Sequence, residues 1–477
     1  MPFPVLGSNS AVAGYEIDNS LRFNDGDSAY LGRTPSSASN RKTWTWSAWV
    51  KISTGTAHDH TFFSGGIGLG ASGNRTVFRI LSGELEKVMV FSGNTSQFAF
   101  KTSASLRDRS AWYHFVLAMD TTQSTDSNRF KMYINGSQVT DTAQLTYPSQ
   151  NLELGVNTNE QHYIGLLTSD NNLPFDGYMA DINFADGTQY AASDFGEYND
   201  NGVWIPKEPN ITYGTNGYRL EFKNSGALGT DTSGNGNDWT PTNLASFDVT
   251  TDTPTNNFCT MNPLATGSRG DFREGNSQVQ TNVQGSVPYG QVEFGTFFVN
   301  TGKWYYEAKI SSVGSGGKMG LGWNERYESG NYTNGHNNIG SNGNAFYSHQ
   351  GDIKIGSGSD FSTGVDSYTT NDIIGCAIDL DNNKVYWHKN GNYQDDPTPT
   401  PTSNDGRSLG TATYNNTWTP WVTKDDTNNN CNVKFNFGNP PYTNSSSQSD
   451  DNGYGDFEYD VPTGFYSLCS KNLAEYG

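Results

Sequence analysis

Two short stretches constrain this chain more than anything else in it, because they share one plan. "RFKMYINGSQ" occupies residues 129–138 and "NNKVYWHKNG" occupies 382–391. Their Asn-Gly pairs, Asn135-Gly136 and Asn390-Gly391, lie 255 residues apart (390 minus 135). Each follows a strand-like run that ends in an acid, Asp120 or Asp379, and a polar turn. A two-residue hairpin needs positive φ at both central positions, and Asn-Gly tolerates that best. The chain therefore has two antiparallel meanders of one design, as two β-sandwiches in series would.

Alternation supports strands around both devices. In "KTWTWSAWVK" Trp44, Trp46, Ala48 and Val50 share a face, and Thr45, Ser47, Trp49 and Lys51 share the other. Tyr113, Phe115, Leu117 and Met119 alternate in the same way, as do Phe130, Met132 and Ile134. One face is expected in a core and the other in water. The second half repeats the pattern with Ile374, Cys376, Ile378 and Leu380, then Val385 and Trp387. Trp304, Tyr306, Trp323 and Trp387 are expected in its core. No helix longer than a turn or two is expected, except near "AASDFGEY".

At 477 residues the chain exceeds what one core organises. The fold class is all-β, with two antiparallel sandwiches in tandem. The boundaries read as an arm over 1–14, a sandwich over 15–194, a connector over 195–258 and a second sandwich over 259–477. The connector is rich in Gly, Asn, Thr and Pro and holds one strand, "GYRLEFK"; Trp204, Tyr213 and Trp239 require that it dock rather than float. Aromatics at 13% separate the sequence from disordered chains, which lack them.

The net charge of −20 repels polyanions, and no basic run exceeds Arg41-Lys42. Nucleic acid and anionic membrane surfaces are thereby poor partners. Cys259, Cys376, Cys431 and Cys469 fit no zinc-ribbon spacing and are expected as buried free thiols. "MPFPVLGSNSAVAGY" has neither the basic start nor the apolar stretch of a secretory signal, and no run is long enough for a membrane-spanning helix. Export is expected through particles released by lysis.

"SLRFNDGDSAYL", "WTWSAWVK", "WYHFVLAMD", "RFKMYINGSQV" and "HYIGLLTSDNNLPFDGYMADINFADG", in that order, resemble the laminin-G/pentraxin-like group of concanavalin A-like jelly rolls. "GKWYYEAKI", "MGLGW", "GDIKIG" and "DIIGCAIDLDNNKVYWHKNG" resemble a SPRY domain. Phrases such as "DTSGNGNDWTPTNL" and "PTGFYSLCSKNL" resemble marine bacteriophage virion proteins. These resemblances imply a non-enzymatic surface protein of the virion, of tail-fibre, head-fibre or capsid-decoration type. Its partners would be host-surface glycans or neighbouring coat proteins, and it would be homo-oligomeric. A purely structural coat protein and a polysaccharide-degrading enzyme are the alternatives.

Glycan sites stack sugar faces on exposed rings and add polar side chains. The loop aromatics Tyr327, Tyr332, Tyr347 (beside His349), Trp418 and Trp421 are the expected platforms, and SPRY loops form ligand surfaces in that family. Retaining glycosidases of this architecture need acids on alternate residues. Glu16 and Asp18 have that spacing, but Leu21 stands where the resemblance requires a third acid; Glu84 and Glu86 read as a solvated face. Laminin-G-like modules often use calcium, and Asp170 and Asp176 in "SDNNLPFDG" are the weak candidates; no other cofactor is expected. His58, Asp59 and His60 lack further metal ligands, and "SRGDF" reads as a chance tripeptide.

Overall fold

The computed structural model describes residues 14–53, 59–66, 68, 75–82, 87–93, 97–168, 173–265, 270–281, 291–314, 319–325, 344–356, 361–394, 401, 405–409, 416–424 and 431–477. The arm expected over 1–14 lies outside them except for Gly14. The chain divides into two compact units with the break between Thr255 and Asn256.

The first unit is a sandwich of two antiparallel eight-stranded sheets. One runs in the order Ser137–Gln138, Phe130–Ile134, Trp112–Asp120, Thr43–Ile52, Gly177–Asp186, Ser20–Phe23, Val249–Thr250, with Tyr218–Leu220 also paired to Gly177–Asp186. The other runs Thr142–Thr146, Phe98–Ser105, Lys87–Ser92, Thr76–Leu81, His60–Gly65, His162–Ile164, Tyr30–Arg33, Thr240–Thr242. Trp44, Trp46, Ala48 and Val50 pack between the sheets with Phe62, Phe78, Phe115 and Met119, as the alternation predicts.

The opposite face of Thr43–Ile52 does not meet water. Ser47, Trp49 and Lys51 are all buried, because chain from the expected connector crosses that face. Trp204 and Phe195 pack there with Trp49 and Trp112. Lys51 Nζ pairs with Asp252 Oδ2 at 2.8 Å, and the indole of Trp112 donates to Asp252 Oδ1 at 3.1 Å. A buried ammonium needs such a partner, since burying it unpaired costs several kcal/mol. Up to Thr255 the segment 195–258 thus belongs to the first unit. It supplies five short strands where the sequence suggests one.

The second unit repeats the architecture. Its nine-stranded sheet runs Gly270–Arg273, Gln278–Thr281, Asn432–Asn436, Lys303–Ser312, Ile373–Asp379, Lys384–Lys389, Asn392–Tyr393; Arg407–Ser408 joins Lys384–Lys389, and Tyr466–Ser467 joins Lys303–Ser312 in parallel. The facing sheet runs Gln291–Phe294, Thr419–Lys424, Met319–Asn324, Asn344–Ser348, Asp352–Ile355, Phe361–Thr363. Trp304, Tyr306, Trp323 and Trp387 sit in the core between them, as expected. All four cysteines are free and buried. A seven-residue α-helix, Ser470–Tyr476, about two turns long, closes the described chain, within the expectation that no helix exceeds a turn or two. No helix among the described residues is long and apolar enough to cross a membrane.

The duplicated Asn-Gly device is the same object in both units. Asn135 and Gly136 have φ of 47° and 79°, and Asn390 and Gly391 have 51° and 83°. Each asparagine also clasps the neighbouring strand. His114 N donates to Asn135 Oδ1 at 2.7 Å, and Ile373 N donates to Asn390 Oδ1 at 2.8 Å. The return bonds, Asn135 N to His114 O and Asn390 N to Ile373 O, are 2.9 and 2.8 Å.

Candidate functional site

Burial removes three of the aromatic platforms expected from sequence. Tyr347, Trp418 and Trp421 are buried at 0%, 1% and 0% relative exposure. Tyr347 sends its hydroxyl to Asp366 O, and Trp418 Nε1 donates to Asn416 Oδ1 at 3.0 Å. Trp421 packs edge-on against Phe346 with ring centroids 6.0 Å apart. Tyr347 and Trp418 lie in the core between the sheets, and Trp421 is covered on the other face of its strand by Ala265, Val292, Phe294 and Phe346, so none of the three leaves a face for a sugar. His349 is half-buried, and its Nδ1 accepts from Met319 N at 2.9 Å. Tyr327 and Tyr332 lie outside the described residues.

The remaining candidates disperse. Asp176 is buried and accepts from Ser53 Oγ, while Asp170 lies outside the described residues. Among the described residues no three acidic, histidine or cysteine side chains are grouped to hold a metal. Glu16 and Asp18 are exposed and precede the first strand. Asp59 pairs with Arg79 at 3.3 Å, and His60 Nδ1 is bound to Pro174 O at 3.1 Å. Asp271 of "SRGDF" is held by Arg273 at 2.6 Å. His58, Glu84, Glu86 and Arg269 lie outside the described residues.

The structure instead builds a column of rings on the outer face of the first unit. At its base His114 lies between two indoles, 4.7 Å from Trp49 and 6.0 Å from Trp204, nearly parallel to both at 26° and 24°. The Trp204 indole donates to His114 Nδ1 at 3.0 Å, which fixes the proton on Nε2, where it is donated to Ser47 Oγ at 2.9 Å. Burial pushes the imidazole down to about 3, so the ring is neutral.

Two glycines admit the Trp204 ring. A Cβ at Gly136 or at Gly196 would overlap the indole. Gly136 is thus required twice, for its positive φ and for the space above it.

Tyr198 caps the column. It stands on the two-stranded ribbon of Gly196–Tyr198 and Trp204–Pro206, with its ring edge-on to Trp204 at 4.9 Å and 69°. Its hydroxyl donates to Asn135 O at 3.1 Å and lies 3.1 Å from Ser137 Oγ, which pins it to the tip of the Asn-Gly hairpin. The ring is 54% exposed, and among the described residues it is the one aromatic counted with Leu145 and Leu264 as a large exposed apolar side chain. Exposed Ser137, Gln138 and Glu197 lie on the adjoining strands, and exposed Asp200 and Asn201 in the turn that follows Tyr198. An apolar ring held rigid within a polar rim can take the apolar face of a sugar at small entropic cost.

Sequence reasoning passed over Tyr198 because its surroundings read as connector. The signal was present in "EYNDNGVWI", where Asn201-Gly202 stands between two short apolar runs and marks a hairpin.

The second unit has a polar chain at the matching place. His388 Nδ1 accepts from Gly391 N at 3.2 Å, its Nε2 lies 2.7 Å from the Tyr305 hydroxyl, and that hydroxyl donates to Glu307 Oε1 at 3.0 Å. Glu307 also accepts from Glu458 N and Tyr459 N at 3.0 and 2.9 Å. Burial pushes its carboxyl up to about 7 against the pull of these donors, and pushes His388 down to about 3. Every member is buried and partnered, so the chain clamps residues 458–459 onto the sheet and presents nothing to a substrate.

Residues 24–192 match the family model described as the concanavalin A-like lectin/glucanases superfamily, and residues 303–409 match the SPRY domain model. No curated protein matches the chain in sequence. Similar solved structures include the SPRY domain of human HERC1, 15% identical over 33% of this chain and 87% of that one, with a TM-score of 0.26. A putative carbohydrate binding protein from Bacteroides ovatus is 14% identical over 48% of this chain and 58% of its own, with a TM-score of 0.31. The native heptameric SAP-like pentraxin from Limulus polyphemus is 14% identical over 37% and 80%, with a TM-score of 0.26. The chain thus spans little over half of the Bacteroides protein, and likeness at this level carries no function across. What the family models and the two sandwiches establish is a concanavalin A-like, laminin-G-type domain followed by a SPRY domain.

Proposed function

We propose that the protein is a non-enzymatic glycan-binding protein displayed on the surface of a virion, with Tyr198 as the stacking ring of its first domain. The observation that carries this reading is the exposed Tyr198 ring on its buried support of Trp204, His114 and Trp49, in a unit whose residues 24–192 match a lectin-containing superfamily. The same surface suits binding better than hydrolysis, since Glu16 and Asp18 are exposed to water rather than buried as a catalytic pair would be. One ring gives weak affinity, and repeated display on a particle would raise it by avidity, roughly 10²–10⁴-fold for suitable geometry. Tyr327 and Tyr332 remain proposed contacts for the SPRY domain, and calcium at Asp170 and Asp176 remains a proposal. Display on a phage particle is supported by the phrase-like resemblance of the sequence.

Glycan-array binding of the full chain tests the function. The reading expects binding to sugars with an apolar face, lost in Tyr198→Ala and largely kept in Tyr198→Phe. Binding unchanged in Tyr198→Ala would move the site elsewhere, and no binding to any glycan would overturn the function itself.

A further inference from the structure

An asparagine followed by glycine is chemically fragile, because the glycine amide nitrogen, with no Cβ beside it, can reach the asparagine Cγ. The attack needs a side-chain amide free to turn and a backbone free to follow it. Eight such pairs occur in the chain, and two of them, at Asn334 and Asn342, lie outside the described residues.

Five of the other six are held by their side chains. Asn135 and Asn390 accept from His114 N and Ile373 N through Oδ1, and Asn390 Nδ2 also donates to Asp372 Oδ1 at 2.7 Å. Buried Asn216 donates to Ser37 O at 3.0 Å and to Ser39 Oγ at 2.7 Å. Asn235 donates to Gly214 O and Gly217 O at 2.7 and 2.9 Å, and Asn452 donates to Asn472 Oδ1 at 2.9 Å. Asn201 alone among the described pairs is exposed with no hydrogen bond to its side-chain amide. Nothing lies within 4 Å of where a Cβ on Gly202 would stand, so the backbone there has room to move. The Gly202 N–H is bonded to Asn199 O at 2.9 Å, within an exposed turn. Such turns open locally at far less cost than a packed core.

We propose that Asn201 is a site of spontaneous deamidation and that its conversion ages the Tyr198 platform. When the turn opens, Gly202 N bonds to Asn201 Cγ, the Cγ–Nδ2 bond breaks, and Nδ2 leaves as ammonia with the proton given up by the glycine amide. Water then opens the five-membered succinimide at either carbonyl, giving aspartate or isoaspartate with no change of oxidation state. Isoaspartate routes the main chain through the side-chain carbon and adds one atom to the turn joining Gly196–Tyr198 to Trp204–Pro206. That turn is set by Asn199 Oδ1, which accepts from Asn201 N and Val203 N at 3.0 and 2.9 Å. Lengthening it loosens the ribbon that presents the Tyr198 ring, and either product adds a carboxylate next to Asp200. The modification stands by itself, whereas its effect on binding rests on Tyr198 being the sugar platform.

Peptide mass mapping of the folded full chain during incubation at mildly alkaline pH tests the modification. Position 201 is expected to exchange amide for acid, and to become a substrate for isoaspartyl methylation, well before positions 135, 216, 235, 390 and 452. In denaturant the six are expected to convert at similar rates, because the fold is what separates them. Position 201 still intact when the denatured chain has converted, or converting no faster than the other five in the folded chain, would overturn the modification. Ion exchange then separates converted from unconverted chain within one aged sample. The pool mapped as converted at position 201 is expected to lose the binding to an array-positive glycan that the unconverted pool keeps. Equal binding by the two pools would overturn the ageing of the platform. Absence of glycan binding by fresh protein would overturn the sugar-platform reading and the effect on binding with it, while the mapped conversion would stand.

Discussion

Trp204 and His114 are joined twice, by a hydrogen bond of 3.0 Å from indole to Nδ1 and by near-parallel packing of their rings. The pair carries Tyr198 on one side and reaches Ser47 on the other. His114→Phe would keep a ring in the column while leaving the Trp204 N–H and the Ser47 hydroxyl buried without that partner. Each orphaned group costs about 1–3 kcal/mol, so a loss of about 2–6 kcal/mol is expected in denaturant unfolding of the first unit. A loss within about 0.5 kcal/mol, the size of an ordinary surface change, would contradict this account.

The two Asn-Gly turns differ in what lies above the glycine. Gly136→Ala meets both an unfavourable φ of 79° and the Trp204 ring, whereas the Cβ of Gly391→Ala would stand 3.0 Å from Tyr459 at φ 83°. The first is expected to cost at least about 3 kcal/mol and the second about 1–2 kcal/mol. Equal losses in thermal melts of the two variants would show that Trp204 yields freely.

Asp252 neutralises Lys51 beneath the strap that covers the first sheet. Asp252→Asn leaves a buried ammonium without its counter-charge and is expected to cost about 3–5 kcal/mol, with much of that recovered by adding Lys51→Met. Additivity of the two changes in a double-mutant cycle would refute the pairing.

In the second unit two buried groups shift in opposite directions. His388, held near 3 against an ordinary 6.5, contributes stability that is full above pH 6.5 and falls on acidification. Glu307, raised from 4.5 to about 7, holds a proton in the folded state between those values, so its contribution falls as pH rises through that window. Each slope is about 1.4 kcal/mol per pH unit, and they cancel between pH 4.5 and 6.5. Glu307→Gln removes one of them. Hydrogen exchange in Ile373–Asp379, corrected for intrinsic rates, should then show protection falling with acid in the variant and flat in the wild type. The same flat profile in both would refute the assignment.

The inward faces were legible in the residues themselves: Trp44 and Trp46, or Trp304 and Tyr306, alternate with smaller or polar neighbours and lie in the two cores. What covers the outward faces was not. Ser47, Trp49 and Lys51 alternate as a solvated face would, and only distant chain, carrying Trp204 and Asp252, buries them. Trp418 and Trp421 misled for the converse reason. Their polar neighbours read as a loop tip, while Trp418 bridges Val299 and enters the core, and Trp421, on the strand Thr419–Lys424, is covered by Val292, Phe294 and Phe346. Local pattern reports which residues share a face, and tertiary packing decides whether that face is covered.

The central claim is that a sugar stacks on Tyr198, and the most direct measurement is NMR of the full chain with ¹³C-labelled tyrosine rings during titration with an array-positive oligosaccharide. The account predicts saturable shifts of the Tyr198 ring signals, assigned by their loss in Tyr198→Phe, with the buried Tyr347 unmoved. Saturable binding that leaves the Tyr198 signals in place would contradict it.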